Sequence, residues 1–172
     1  MSGTPGIDAP DGRGLAIAHV RVAFGGCPVV VDFTERVGAG EWLCVIGPNG
    51  AGKSSLLKAV AGVLPHDGAV RVSGADLAGM GARARAARVA FVPQAPVLPA
   101  DMRVEEYVML GRNPYVRPFA RETARDREVV ADVIARLDLA PYARRPLDTL
   151  SGGERQRLVI ARALAQEAPV LL

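Results

Sequence analysis

The chain has 172 residues, 49% hydrophobic and 23% charged, enough for one domain with its own core. No run approaches the ~20 apolar residues of a membrane span, and the small, polar start of the chain lacks the apolar stretch of a secretion signal, so the expected setting is the cytosol. A formal net charge of +3 without a long basic run gives no footprint for nucleic acid, and none is expected as a partner.

Residues 1–14, rich in Gly and Pro, read as a disordered tail. "LAIAHVRVAF" (Leu15–Phe24) and "PVVVDFTERV" (Pro28–Val37) read as strands around a Gly25-Gly26 turn. "EWLCVIG" (Glu41–Gly47) is a continuous apolar run, as in a strand buried on both faces of a parallel sheet. Cys44 is then a small core residue, and with Cys27 it shows no metal spacing. "SSLLKAVAGVL" places Leu56, Leu57, Val60, Ala61 and Leu64 at helical spacing. "AVRVSG" is a short strand and turn, Arg83–Arg88 a solvated helix face, and "RVAFVPQ" (Arg88–Gln94) a buried strand stopped by Pro93. From Ala95 to Leu150 helical patterns take over. Asp101 caps a helix to about Leu110, and Thr123-x-x-Asp126 opens a longer one with Val130, Val133, Ile134 and Leu137 on one face. Ser151–Gln166 is a further helix, with Ser151 and Glu154 at capping-box spacing, and "PVLL" begins another buried strand. The class is α/β, with a helical insertion.

Gly47-x4-Gly52-Lys53-Ser54, set between an apolar run and a helix, has the P-loop pattern. Its glycines let the backbone wrap a phosphate, and the helix aims its positive end at the same anion. Lys53 reaches the β- and γ-phosphates, and the Ser54 hydroxyl is a ligand for Mg²⁺. Only Lys53 and Lys58 are lysines in a chain of 21 basic residues, so a lysine here stands out. In "LSGGERQR", Gly152 and Gly153 open their N–H groups at a second helix start, a second anion site.

Taken together, "GPNGAGKSS", "VPQ" and "LSGGERQRLVIARALAQEAPVLL" resemble the ATP-binding cassette (ABC) ATPases, in order and at family spacing, from about Leu15 to Leu172. The resemblance implies a P-loop NTPase core with a mixed sheet over residues 15–94, a helical subdomain with the signature motif over 95–166, and a return to the core at 167–172. It implies ATP and Mg²⁺ at Gly47, Pro48, Asn49, Gly50, Ala51, Gly52, Lys53, Ser54 and Ser55. Gln94 matches the glutamine that touches Mg²⁺ and the attacking water. Ser151, Gly152 and Gly153 would close on the γ-phosphate held by a second ATP-binding subunit in a head-to-tail dimer. Phe24, 23 residues before Gly47, falls where the family stacks an aromatic on adenine, although a strand-end core residue is the other reading of it. Glu35 departs from the apolar residue usual in its strand, which puts the local packing in question.

"GRNPY" (Gly111–Tyr115) and "DREVV" (Asp126–Val130) further resemble the helical subdomain of importers for iron–siderophore, haem and cobalamin complexes. That implies membrane permease partners, met through Ala95–Leu150 near Asn113–Phe119, and a peripheral position on the cytoplasmic membrane face. The family follows the strand begun by "PVLL" with Asp for Mg²⁺ and Glu for the attacking water, and later with a switch histidine. These are absent from residues 1–172, and His19 and His66 lie in the wrong places to substitute. The expectation is a fold incomplete at its C-terminus that binds ATP and hydrolyses it poorly, with an unpaired and poorly soluble last strand. Two alternatives remain: a non-transport cassette acting on nucleic acid or ribosomes, whose usual arms or basic tails are not present, and a nucleotide-binding module without catalysis.

Overall fold

β1 (Leu15–Phe24) and β2 (Cys27–Val37) form an antiparallel hairpin whose turn residues, Gly25 (φ 56) and Gly26 (φ 82), both lie in the left-handed region. Two positive φ values give the turn the twist that a tight hairpin needs. The computed structural model describes residues 12–117 and 120–172; most of the expected tail, and Phe119, lie outside the described residues. The chain divides into two compact units, Met1–Val89 with Leu172 and Ala90–Leu171. The sequence placed this division after Gln94.

In the first unit β1 is central. β3 (Asp67–Val72) pairs antiparallel with its other edge and β4 (Ala75–Asp76) with β3, in the order β2-β1-β3-β4. Three register shifts interrupt the β1–β2 ladder. At one of them His19 takes a positive φ of 51, and its ring nitrogen Nδ1 pairs with Asp32 at 3.0 Å. α1 (Lys53–Val60) packs Leu56, Ala59 and Val60 toward the sheet. The apolar spacing predicted a helix to Leu64. It stops at Val60 because Gly62 turns left-handed (φ 68): Gly62 N–H bonds Ala59 O at 2.8 Å and Val63 N–H bonds Lys58 O at 2.8 Å, a Schellman ending. α2 (Ala82–Ala86) buries no residue, as its arginine pattern predicted.

Two expectations fail here. Glu41–Gly47 is not a strand: no described strand pairs with it, and Trp42 (99% exposed) and Ile46 (86%) face solvent. An apolar run is buried as a strand only where neighbours take both edges and layers cover both faces. The four-stranded sheet closes on β2 and β4 instead. Cys44, expected in the core, is exposed with the segment that carries it. Glu35 raises no packing problem. It is exposed on the edge strand β2 and accepts the Arg36 N–H at 2.9 Å.

The second unit is helical. β5 (Val89–Ala90), which begins on the last residue of the first unit, pairs with β6 (Val170–Leu171) as a separate two-stranded sheet, so the last strand, expected to be unpaired, has one neighbour. The strand expected over Arg88–Gln94 is therefore only two residues long, since Pro93 offers no N–H and Phe91–Pro93 find no ladder. α3 (Val104–Met109) starts at Arg103, not Asp101, because Glu106 reaches back to accept the Arg103 N–H at 2.9 Å. α3, α4 (Ala124–Arg136) and α5 (Gly152–Ala165) pack on one another around Val104, Val108, Val133, Leu139, Leu147 and Leu158. Gly111 allows the closest approach, since a side chain there would run into the Arg162 carbonyl of α5.

A buried ionic hub ties these helices. The Arg112 Nε donates to Asp126 Oδ1 at 2.9 Å, and Nη1 donates to Ala165 O at 2.8 Å and Glu167 Oε2 at 2.7 Å. The guanidinium also lies over the Tyr115 ring, 4.3 Å from its centre, and the Tyr115 hydroxyl donates to Gln166 O at 2.9 Å. The hub thus occupies the last carbonyls of α5, where a cation is favoured. Burial disfavours the charged guanidinium, but hydrogen bonds to Asp126 and Glu167 outweigh it and raise its pKa. The Thr123 hydroxyl and N–H, with Arg112 behind them, hold the Asp126 carboxyl down to about 2. A depressed carboxylate stabilises the fold above its ordinary pKa near 3.9, and that contribution is lost as pH falls toward 2. The expected result is a loss of about 2 kcal/mol of stability across that window, read by urea denaturation, and absent in Asp126→Asn. A wild-type slope no steeper than that of the variant would refute it.

Candidate functional site

The loop from Gly47 to Ser55 leaves the exposed apolar segment, turns at Pro48–Ala51 (Ala51 N–H to Pro48 O, 3.3 Å) and enters α1 through Gly52. Gly52 is required twice over: its φ is 81, and a side chain would meet the Val29 carbonyl oxygen at 2.7 Å and Val29 Cγ1 at 3.0 Å. The Lys53 Nζ donates back to Gly47 O at 2.7 Å and Pro48 O at 2.8 Å. Its ammonium is thus held over the mouth of the loop.

α1 differs from the other long helices at its start. α4 and α5 open with capping boxes, Thr123 with Asp126 and Ser151 with Glu154, whereas α1 has no side-chain cap and no acid in its first turn. Its first N–H groups therefore have no acceptor from the helix itself and none from a cap, and the dipole adds positive potential. With Lys53 beside them, they suit a polyanion. Ser54 is exposed at the same place, beside the half-buried Ser55. No cluster of three or more His, Cys, Asp or Glu able to hold a metal occurs among the described residues. Mg²⁺ rarely uses such a cage. It takes one or two protein oxygens beside phosphate oxygens, and the Ser54 hydroxyl is of that kind.

Phe24 ends β1 in the same unit, opposite Cys27, and is 50% exposed. It is not a core residue, since half of its surface is open to solvent. Asn49, Gly50 and Ala51 form the exposed rim of the loop.

Gln94, Ser151, Gly152 and Gly153 lie in the second unit. Gln94 is exposed just after Pro93 and lines a cleft of about 670 Å³ with Leu98, Gly152, Arg155 and Gln156. The fold thus brings Gln94 to the start of α5. There the capping box uses the Ser151 N–H, donated to Glu154 Oε2 at 2.7 Å, and leaves Gly152 and Gly153 N–H at the first helical positions. Hydrogen bonds from the Ser151 N–H and hydroxyl lower the Glu154 pKa, so this helix start already holds one negative charge. His19 is paired with Asp32, and His66 with the Asp67 carbonyl.

Sequence reasoning missed three residues. Arg112 appeared only as a letter of "GRNPY", although an arginine after Gly111 in an apolar stretch was a signal for a buried ion pair. Glu167, left-handed at φ 48 and held by Arg112 and Arg125, carried no signal, and neither did Val29, whose place depends on ladder register.

The family described as "ABC transporter" matches residues 30–172. The hemin import ATP-binding protein HmuV of Streptomyces coelicolor is 44% identical over 170 residues, 98% of this chain and 60% of that protein. The cobalamin import ATP-binding protein BtuD of Halobacterium salinarum is 40% identical over 159 residues, 92% of this chain and 39% of its own length. The iron(3+)-hydroxamate import ATP-binding protein FhuC of Bacillus subtilis is 36% identical over 159 residues, 92% and 59%. The chain therefore spans 60% or less of these curated relatives. A solved ATP-binding subunit of an ABC transporter superposes with a TM-score of 0.78 at 26% identity, covering 92% of this chain and 64% of that one. An inward-facing ABC transporter assigned to the metal-chelate type superposes at 0.74 with 28% identity, covering 91% and 57%. The P-loop, the helical unit with its signature helix and these alignments agree: the chain belongs to the ABC transporter family, with the fold of its P-loop ATPase domain.

Proposed function

We propose that this chain is the ATP-binding subunit of an importer for an iron–siderophore, haem or cobalamin-type complex. The observation that carries the nucleotide reading is the Gly47–Ser55 loop, with Lys53 drawn over its mouth and the start of α1 free of any cap or acid. Within it, Lys53 and the loop N–H groups hold the triphosphate, and the exposed face of Phe24 takes the adenine. Ser54 is the residue of the loop to hold Mg²⁺, which when bound neutralises phosphate charge and orients the phosphoryl group. The import reading is supported by relatives named for hemin, cobalamin and iron-hydroxamate import that align with 92% or more of the chain.

Ser151, Gly152 and Gly153 then face the nucleotide of a second subunit, with N–H groups open at the start of α5. The cleft of about 670 Å³ beside Gln94 lies in the helical unit, the part proposed to meet a permease at the cytoplasmic membrane face. No helix among the described residues is long and apolar enough to cross a membrane.

Phe24→Ala is expected to weaken ATP binding by about 1–3 kcal/mol, the range for a base stacked on an aromatic, while tripolyphosphate binding is unchanged. Titration calorimetry with both ligands is the measurement. Equal ATP affinity in the variant would end the stacking assignment. For the import reading, cysteines placed at Asn113–Val116 should cross-link to a co-expressed membrane permease, and recovery of ribosomes or DNA instead would overturn it.

A further inference from the structure

The β1–β2 ladder carries an irregularity where it passes the phosphate loop. Val22 pairs with Val30 and Ala23 with Pro28, so Val29 is an extra residue with no partner on β1. Such a bulge bends its strand and increases the local twist. Val29 is also the residue that meets the loop: its carbonyl oxygen and Cγ1 lie where a side chain on Gly52 would stand, at 2.7 and 3.0 Å. On its other side, two residues away, Cys27 pairs with Phe24 at the hairpin end. One bulged residue therefore joins the phosphate-holding loop to the strand end that bears the exposed aromatic.

We propose that Val29 is a positioning residue that sets the spacing between the base platform at Phe24 and the phosphate cradle at Gly52–Lys53. It thereby decides whether one ligand fills both. The inference rests on the nucleotide reading of those two places. A nucleoside triphosphate has a fixed reach from its base to its phosphates, whereas a bare polyphosphate needs only the cradle. The joint therefore governs the preference for one over the other and leaves phosphate affinity alone.

The ladder makes a clean test available. Deleting Val29 removes the shift between the Val22–Val30 and Ala23–Pro28 pairs and keeps the Phe24–Cys27 pair and the Gly25-Gly26 turn, so that what changes is the spacing of this hairpin end from the loop that Val29 meets. The deletion, Val29→Ala, and a one-glycine insertion after Val29 are compared with the wild-type chain for binding of ATP and of tripolyphosphate, with circular dichroism as the check on folding. The wild type should prefer ATP by about tenfold or more, as a stacked base contributes. The deletion and the insertion should abolish that preference and keep tripolyphosphate affinity within about twofold. Val29→Ala, which keeps the bulge and its carbonyl but loses Cγ1, should keep the preference for ATP over tripolyphosphate. If the deletion does not fold, the insertion, which keeps every native side chain, decides alone. A folded deletion or insertion that still prefers ATP overturns the proposal. So does equal loss of both ligands, which would make Val29 a support of the loop only, or a Val29→Ala variant as impaired as the deletion. A wild type that binds tripolyphosphate but does not prefer ATP overturns the base platform itself, and the proposal with it.

Discussion

Arg112→Ala is expected to lower the unfolding free energy by about 3–5 kcal/mol, the scale for breaking a buried ion pair from one side. The side chains of Arg112 and Asp126 are each only 5% exposed. Without the guanidinium, Asp126 Oδ1 loses its partner, the Ala165 carbonyl loses a donor and Tyr115 loses the cation on its face. Asp126 Oδ2 keeps its bonds from the Thr123 N–H and hydroxyl, which is why the loss is not larger. Arg112→Lys keeps a charge but cannot present the Nε and Nη1 donors in one plane, so it should recover less than half of the deficit. Urea denaturation followed by circular dichroism gives the number. A variant within about 1 kcal/mol of wild type would show that the hub is decorative.

Lys53→Ala should weaken ATP binding by about 10- to 150-fold. A charge-assisted hydrogen bond contributes about 1.5–3 kcal/mol, and here the lost charge is also the group that ties Gly47 O and Pro48 O together. The upper end follows if the loop opens as well. Adenosine binding, which needs no phosphate contact, should change little. Lys58, the other lysine, is exposed on the last turn of α1, so Lys58→Ala is the matched control and should bind as wild type. Unchanged affinity and unchanged selectivity for the triphosphate in Lys53→Ala would remove the loop from the nucleotide site.

Local rules carried the sequence reading furthest. The hairpin around Gly25-Gly26, the capping boxes at Thr123 and Ser151, and the Gly47–Ser55 loop are each set by residues within a few positions of one another, and all stand in the structure where the sequence placed them. What depended on distant partners was not legible. The burial of Glu41–Gly47 required neighbouring strands that the sequence does not name, and the structure leaves that segment unpaired. The end of α1 hung on Gly62, which the apolar periodicity of Val60 and Leu64 concealed. The meeting of Arg112 with Glu167 spans 55 positions, and the bulge at Val29 is a matter of register between two strands. At the site, residue types were readable from the motif. Their hydrogen bonds, and the lack of any side-chain cap at the start of α1, were not.

The chain holds one tryptophan, Trp42, and it stands fully exposed in the unpaired segment five residues before Gly47. An indole in water differs from a sheltered one in emission wavelength and in access to a soluble quencher. Intrinsic fluorescence from this protein therefore comes with its address known. Ionic quenching of Trp42 reads whether the stretch leading into the phosphate loop is covered, by a pairing strand or by another chain, with no label added and no second indole to confuse the signal.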